Sequence, residues 1–580
     1  MAASIHPYAY FSPTRNTRYW ILSIFMLLLH FISSAQLNRV FYESNKIVTA
    51  KNGAVVSAHP LASKAGLLVL QKGGNAVDAA IATQWALAVV YPGAGNIGGG
   101  GFMVAYLKNK EAIALDYREM APAAAHRDMY LDENGNHIIE KSLYGHLASG
   151  VPGTVAGLFA AHKYAKLPMK VLMEPAIELA EKGFAITETE AETLNRAQKD
   201  FIKYNTIQPV FVKPEGWKKG DLLIQKDLAN TLKRISDHGE KEFYEGKTAQ
   251  LIVEEMQRGK GLITLDDLKN YKAKFRTPHI FDYRGYTIIG MPMPSSGGIL
   301  LHQMLKMIEP YAINKMGFHT PQSVQLMIEV ERRAYADRAK YMGDADFYNV
   351  PATELTSKAY LKKRMKNYKP NIAGNSKDII EGVIPGYESE ETTHLSVIDK
   401  EGNAVAVTTT LNNHYGSRTV VGGAGFILND EMDDFSAKPG TPNLYGAVGG
   451  KANAIEPGKR MLSSMTPTIV LKNKKPYLVA GTPGGTTIPT SVFQTILNII
   501  DFKMSTDDAV NKPKFHHQWL PDEVYIEQNF PKATAEALTK MGYKLKERKS
   551  IGRTEVIKVL PDGSFEAVAD RRGDDSAEGW

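Results

Sequence analysis

The chain contains no cysteine. That excludes a disulfide framework, a thiol nucleophile and any Cys-ligated metal. It also lacks an HExxH pattern, and the adjacent pair His516–His517 has no helical ligand spacing. Its histidines are therefore expected in core or hydrogen-bonding roles, with no metal site and no cofactor. There is no strong charge of one sign: 69 Lys and Arg stand against 62 Asp and Glu, scattered and interleaved. This pattern serves solubility and does not mark a nucleic-acid partner. Apolar residues make up 43% and charged residues 23% of the 580, the composition of a globular protein large enough for a substantial core. Past the N-terminus no run is long and apolar enough to span a membrane, which takes about 20 residues.

The N-terminus reads as a secretory signal. Arg15 and Arg18 supply the positive region, Trp20 to Ile32 the apolar run, and Ser33-Ser34-Ala35 a small-residue cleavage site. The mature chain is expected to start near Gln36, exported and without a stable membrane anchor. No cysteine follows the site, which excludes a lipoprotein anchor. The formal charge falls from +7 to about +5 on removal of the two arginines.

The central stretch is Glu388-Ser-Glu-Glu-Thr-Thr-His-Leu-Ser-Val-Ile-Asp399. A polar segment from Lys369, rich in Pro and Gly, is expected to be a long exposed loop ending at Glu391. An alternating strand begins at once and a second runs from Ala404 to Leu411. With Lys400-Glu401-Gly402 as a three-residue turn and Gly402 left-handed, Asp399 pairs with Asn403, Ser396 with Ala406 and Thr392 with Thr410. Paired residues share a face, with Cβ atoms about 5 Å apart. The register thus sets two threonine hydroxyls side by side. A plain hairpin, with threonines chosen for β-propensity, is the competing reading.

Elsewhere, Ala54 to Ala58 reads as a buried strand. His59-Pro60 opens a helix to Gln71, and Asn75 caps a second, Ala76 to Val90, apolar all round and so buried. The glycine-rich run from Pro92 to Gly101 follows a helix and precedes a strand, the reverse of a phosphate loop, and points to close backbone packing. Arg118 at a strand end can clamp a carboxylate. Thr320-Pro321 starts a helix with Val324, Met327, Ile328, Tyr335 and Ala339 on one face and Arg and Glu on the other. Asn429 to Ser436 concentrates acids, and Lys438 to Gly458, rich in Gly and Pro, suits a lid. Pro483-Gly-Gly-Thr486 is a tight turn or a pair of amides aimed at an oxyanion. With no repeat and no clear linker, one interwoven domain is expected.

Taken in order, eight motifs resemble the γ-glutamyltranspeptidase family: Gly73-Gly-Asn-Ala-Val-Asp-Ala-Ala80, Gly98-Gly-Gly-Gly-Phe102, Asp116-Tyr-Arg-Glu-Met-Ala-Pro122, Tyr335-Ala-Asp-Arg338, Thr392-Thr-His394, Asp433-Asp-Phe-Ser436, Leu462-Ser-Ser464 and Pro483-Gly-Gly485. The resemblance runs from about Ala50 to the C-terminus. It implies an α+β fold, the four-layer αββα sandwich of the N-terminal nucleophile hydrolases. It also implies self-cleavage between Glu391 and Thr392. That divides the chain into a signal (1–35), a large subunit (36–391) and a small subunit (392–580), the last two interwoven as a heterodimer.

By the same resemblance Thr392 is the nucleophile, Thr410 activates it, and Gly484 and Gly485 form an oxyanion hole. Arg118, Ser463 and Ser464 hold the donor α-carboxylate. Asn412, Glu431 and Asp434 hold its α-ammonium, and Tyr445 covers it. The family expectation is a γ-glutamyl donor such as glutathione, an amino acid, peptide or water acceptor, and export to the periplasm or medium. Two alternatives stand beside it: a glutaryl (cephalosporin) acylase-like amidase on the same scaffold, and a non-catalytic envelope binding protein. Thr392→Ala should leave one uncut chain without transferase activity, read on a denaturing gel. In the parent protein, N-terminal sequencing of the small fragment should begin Thr-Thr-His.

Overall fold

The hairpin lies at the middle of the fold. A computed structural model describes residues 37–379, 392–436 and 450–580. Of its two units, Met1–Asn38 is described only at its last two residues; the fold below is that of Arg39–Trp580. The strands of its two large sheets are numbered here in chain order. β1 (Ile47–Ala50), β2 (Gly53–Ser57), β3 (Gly100–Tyr106) and β4 (Ala112–Tyr117) come first. After a helical stretch come β5 (Lys274–Arg276), β6 (His279–Tyr283) and β7 (Tyr286–Gly290). The hairpin is β8 (Thr393–Asp399) and β9 (Ala404–Thr410). β10 (Thr468–Lys472), β11 (Lys475–Gly481), β12 (Glu555–Val559), β13 (Phe565–Val568) and β14 (Ser576–Gly579) complete the set.

One seven-stranded sheet has the order β14-β2-β8-β9-β3-β4-β5, the other β1-β13-β12-β11-β10-β7-β6. Neighbours within each are antiparallel. The hairpin register is the expected one: Ser396 faces Ala406. The Asp399 N–H donates to the Asn403 carbonyl at 3.1 Å, and Gly402 has φ +83°. Alternation along a strand then sorts the layers. Ile398, Ala404 and Ala406 join Val56, Phe102, Ile469, Val479 and Ile557 in a core between the sheets. Leu395, Val397, Val405 and Val407 are buried on the opposite face.

That opposite face is covered by α1 (Pro60–Gln71) and α2 (Ala76–Val90). Both start as the sequence predicts. The His59 ring accepts from the Leu61 N–H, and Asn75 and Asp78 form a reciprocal capping box. Every residue of α2 is buried. The second sheet carries α3 (Gly297–Ile308), α4 (Pro321–Tyr341) and α5 (Thr487–Ile500) on its outer side, around Ile288, Val470, Leu478 and Val556. The result is the expected αββα order. Among the described residues, no helix is long and apolar enough to cross a membrane.

The glycine run packs as expected. A Cβ on Gly99 would stand 2.1 Å from the Thr410 carbonyl oxygen, and one on Gly101 2.5 Å from that of Thr408. Only glycine lets β3 lie this close to the end of β9.

One expectation changes. On the charged side of α4, Glu329, Glu331, Arg332 and Arg333 are buried. The reason is the stretch after Lys369, expected to be exposed, whose described part folds over that side. The Ala373 N–H donates to the Met541 carbonyl at 2.9 Å and Ser376 Oγ to that of Trp519 at 2.6 Å. Periodicity registers one apolar face but not a second layer built from polar residues. Residues 380–391 and 437–449, which include Glu391, Tyr445 and most of the expected lid, lie outside the described residues. In the remainder of the lid stretch, Ala452 and Asn453 are buried on a short turn.

Glu329 stands between two guanidiniums, 2.6 Å from Arg333 Nη1 and 3.4 Å from Arg332 Nε, and accepts from Tyr543 Oη at 2.7 Å. Removing one partner from a buried ion network strands the others. Glu329→Ala should cost about 3–5 kcal/mol of stability, read as a lower denaturant midpoint.

Candidate active site

The ends of the hairpin open into a small recess between the two sheets. It is lined by Arg118, Thr392, Thr410, Asn412, Glu431, Asp434, Ser463, Ser464, Met465, Gly485 and Ile488. Every described residue that the sequence singles out for nucleophile or donor binding is among them. Gly484 does not line it but directly precedes Gly485.

Thr392 immediately precedes β8 and Thr410 ends β9. One further step of the observed register, beyond Thr393 opposite Thr409, sets them across from each other. Thr410 Oγ1 accepts the Asn412 N–H at 2.8 Å, which requires the tight bend taken at Asn412, φ +75°. Asparagine tolerates that left-handed conformation better than most residues. The strand end is pinned from outside by Asn96, whose Nδ2 donates to the Thr410 carbonyl at 2.8 Å.

His394, two residues past Thr392, is not available as a base. Burial pushes its pKa down to about 3, and its ring nitrogens lie 2.8 Å from Thr408 Oγ1 and 3.1 Å from Ser396 Oγ. His516 and His517 are buried and hydrogen-bonded, as core histidines should be.

The acidic turn Glu431–Asp434 forms one wall. Asn429 fastens it to the glycine run: its Nδ2 donates to the Gly98 carbonyl at 2.8 Å, while its Oδ1 accepts the Glu431 N–H at 3.1 Å. Ser463 and Ser464 form the wall before β10. The Ser463 carbonyl accepts from both the N–H and the Oγ of Ser296, each at 2.8 Å. Asn453 ties the walls together, donating to the Asp434 carbonyl at 2.7 Å and accepting the Leu462 N–H at 2.9 Å.

Arg118 projects from the end of β4 into this space, 1% exposed. Its Nη1 lies 2.6 Å from Glu431 Oε2 and 3.5 Å from Glu119 Oε2, and its Nη2 donates to Asp434 Oδ2. Thus the cation and the acids expected on opposite charges of a substrate are paired with each other. Burial pulls the Arg118 pKa down, but Glu431, Asp434 and Glu119 outweigh it and the net shift is upward. Burial raises Glu431 and Glu119, and Arg118 only partly offsets it. Glu119, Met465, Ile488 and Asn453 were not singled out from the sequence. Glu119 adjoins Arg118 in the same motif, which was the available signal.

The oxyanion candidates sit at the amino end of α5. Gly484 has φ +132° and Gly485 φ +54°. Among the described residues neither N–H meets an acceptor. Free N–H groups at a helix start form an anion site.

Two carboxyls behind the wall titrate near neutrality. Burial raises Asp433 to about 7, against a Ser142 Oγ donor at 2.6 Å. It raises Asp430 to about 7 as well, against the Asn413 donors. A carboxyl raised in the folded state stabilises below its unfolded pKa of about 4. That contribution is lost as pH rises through 7, at up to about 1.4 kcal/mol per pH unit for each group. The denaturant midpoint should therefore fall from pH 5 to pH 8, and Asp433→Asn should flatten the decline.

Comparison with known proteins bears on this arrangement. The family model described as gamma-glutamyltranspeptidase matches residues 62–580. The chain is 48% identical over 537 residues to the glutathione hydrolase proenzyme of Escherichia coli strain K12, covering 92% of this chain and 93% of that one. The crystal structure of a cephalosporin acylase from Bacillus halodurans superposes with a TM-score of 0.80 at 26% identity, over 93% and 98% of the two chains. That of Helicobacter pylori gamma-glutamyltranspeptidase gives 0.55 at 46% identity, over 59% of this chain and 97% of that one. With the family model spanning nearly the whole chain and the recess built from the family's motifs, the protein belongs to the γ-glutamyltranspeptidase family.

Proposed function

We propose that the protein is a self-processing γ-glutamyltransferase and glutathione hydrolase whose nucleophile is Thr392. The observation that carries this reading is the gathering of Thr392, Thr410, one guanidinium and two facing carboxylates in a single recess. A γ-glutamyl group bears an α-carboxylate and an α-ammonium on adjacent bonds. Arg118, with Ser463 and Ser464, suits the first; Glu431, Asp434 and Asn412 suit the second. The donor zwitterion then takes over ion pairs that Arg118 makes with Glu431 and Asp434, so little net charge is buried on binding.

The chemistry follows from a threonine at a new terminus. In the precursor, Thr392 Oγ attacks the Glu391 carbonyl carbon. The C–N bond breaks, the nitrogen takes up the hydroxyl proton to become a free amine, and water hydrolyses the resulting ester. The freed α-amine has an unperturbed pKa of about 7.7–8.0, suited to general-base work near neutrality. In the cleaved enzyme it takes the Thr392 hydroxyl proton as Oγ attacks the donor γ-carbonyl. Thr410 donates to the nucleophile, and the Gly484 and Gly485 N–H groups stabilise the oxyanion. The leaving amine carries the proton away. Water or an acceptor amine then resolves the γ-glutamyl ester by the reverse steps.

Residues 1–35 serve as a removable export signal to the periplasm or medium. Residues 36–391 and 392–580 are the two subunits, held together by the shared sandwich, and Tyr445 covers the donor. Against the acylase alternative stand Glu431 and Asp434, which a glutaryl group, lacking the ammonium, would leave unmatched.

The deciding comparison is a γ-glutamyl amide against the glutaryl amide of the same leaving group. With charged hydrogen bonds contributing about 1.5–3 kcal/mol, the glutamyl compound should have a kcat/KM higher by about 10- to 100-fold. Equal values would favour the acylase reading.

A further inference from the structure

Two hydroxyls outside the recess act on the backbone of the paired glycines. Thr482 Oγ1 donates to the Pro483 carbonyl at 2.8 Å. Thr487 Oγ1 donates to the Gly484 carbonyl at 2.7 Å, and the Thr487 N–H reaches the same oxygen at 3.0 Å. In a planar trans peptide, the C=O and the following N–H point in opposite directions. Holding the Pro483 carbonyl therefore aims the Gly484 N–H, and holding the Gly484 carbonyl aims the Gly485 N–H. These are the two amides that lack an acceptor.

Each hydroxyl is itself constrained. Thr482 Oγ1 accepts the Arg553 N–H at 2.7 Å, which leaves its one proton for the Pro483 carbonyl. A Cβ on Gly552 would come within 2.8 Å of that hydroxyl, and one on Gly484 within 2.4 Å of Thr487 Oγ1. Both threonines are buried, so no water competes for the carbonyls. The peptide after Thr486 is tethered as well: Tyr335 Oη donates to the Thr486 carbonyl.

We propose that Thr482 and Thr487 are positioning residues that fix the two peptide planes of the Gly484–Gly485 turn, so that both N–H groups converge on the oxygen of the attacked carbonyl. The proposal rests on the oxyanion role assigned above to the glycines; neither threonine touches substrate. The plainer account is that the hydroxyls satisfy carbonyls at a helix start, a common use of threonine. Their loss would then lower stability and leave transition-state binding alone.

Kinetics separates the two. Thr482→Val and Thr487→Val keep the shape and remove the hydroxyl; Thr482→Ser and Thr487→Ser keep the hydroxyl. Each enzyme is taken as the cleaved pair, and rates are normalised to the small chain beginning at Thr392. The probe is a boronic acid analogue of the donor, with boron in place of the γ-carbonyl carbon. Thr392 Oγ adds to boron, one B–O bond forms, the hydroxyl proton passes to the α-amine, and a tetrahedral anion results.

Each Val variant should lower kcat by about 10- to 100-fold, somewhat less than outright removal of an oxyanion donor. It should weaken boronate binding by the same factor and leave KM within about twofold. The Ser variants should restore both. Val variants with unchanged kcat and boronate affinity but a lower melting temperature would overturn the proposal while leaving the oxyanion hole in place. Ser variants as impaired as Val would also overturn it. If the parent enzyme bound the boronate no more tightly than the donor, and Gly485→Ala kept full kcat, the oxyanion reading would fall, and the proposal with it.

Discussion

Everything at the recess depends on one antiparallel pairing that cannot slip. β8 and β9 are buried on both faces, so a shift of one residue would exchange the core between the sheets with the layer against α2. The register is also held at both ends. Asp399 and Gly402 close the turn, and β3 lies against the open end through glycines that admit no side chain. Two threonines brought together by this frame are fixed by the packing of several strands. Within this frame β8 starts at Thr393 and pairs with β2 on one side and β9 on the other.

A second constraint is electrostatic. The recess holds a guanidinium among carboxylates, away from water, where unpaired charge is costly. Arg118 with Glu431 and Asp434 resolves this by internal pairing. A ligand bringing both charges would match both members of these pairs. A ligand with a carboxylate alone would draw Arg118 from its partners and leave two acids uncompensated. The stability of these buried charges thus comes from the ion pairs they make with one another. The walls carrying those charges are separate in sequence. Asn429 and Asn453 hold them in register, each with one amide spanning two segments.

The catalytic half of the site was legible in the sequence to an unusual degree, and the reasons are local. A Gly three residues past Asp399 fixes the turn, the turn fixes the register, and the register pairs Thr392 with Thr410. The caps at His59, Asn75 and Thr320 are equally short-range, and all three begin helices as read. What could not be read is contact between distant segments. The polar side of α4 is the floor under residues 369–379. Glu119, next to Arg118 in the chain, is one of its partners. A hydrophobic pattern records which residues avoid water, but not which polar residues are buried by satisfying one another.

By itself, the sequence determined the elements and the chemical inventory. Strand alternation, capping residues and glycine positions follow from backbone sterics and hydrogen bonds within a few residues. The absence of cysteine removes thiol chemistry from that inventory. Only the tertiary structure decided where that chemistry meets. The guanidinium comes from the end of β4, the acids from a turn after β9, and the serines and glycines from the two chain segments flanking the open end of the β10–β11 hairpin of the second sheet. Their convergence results from two sheets packing face to face, and face-to-face packing is set by the summed burial of both inner surfaces. No single stretch of the chain encodes that sum.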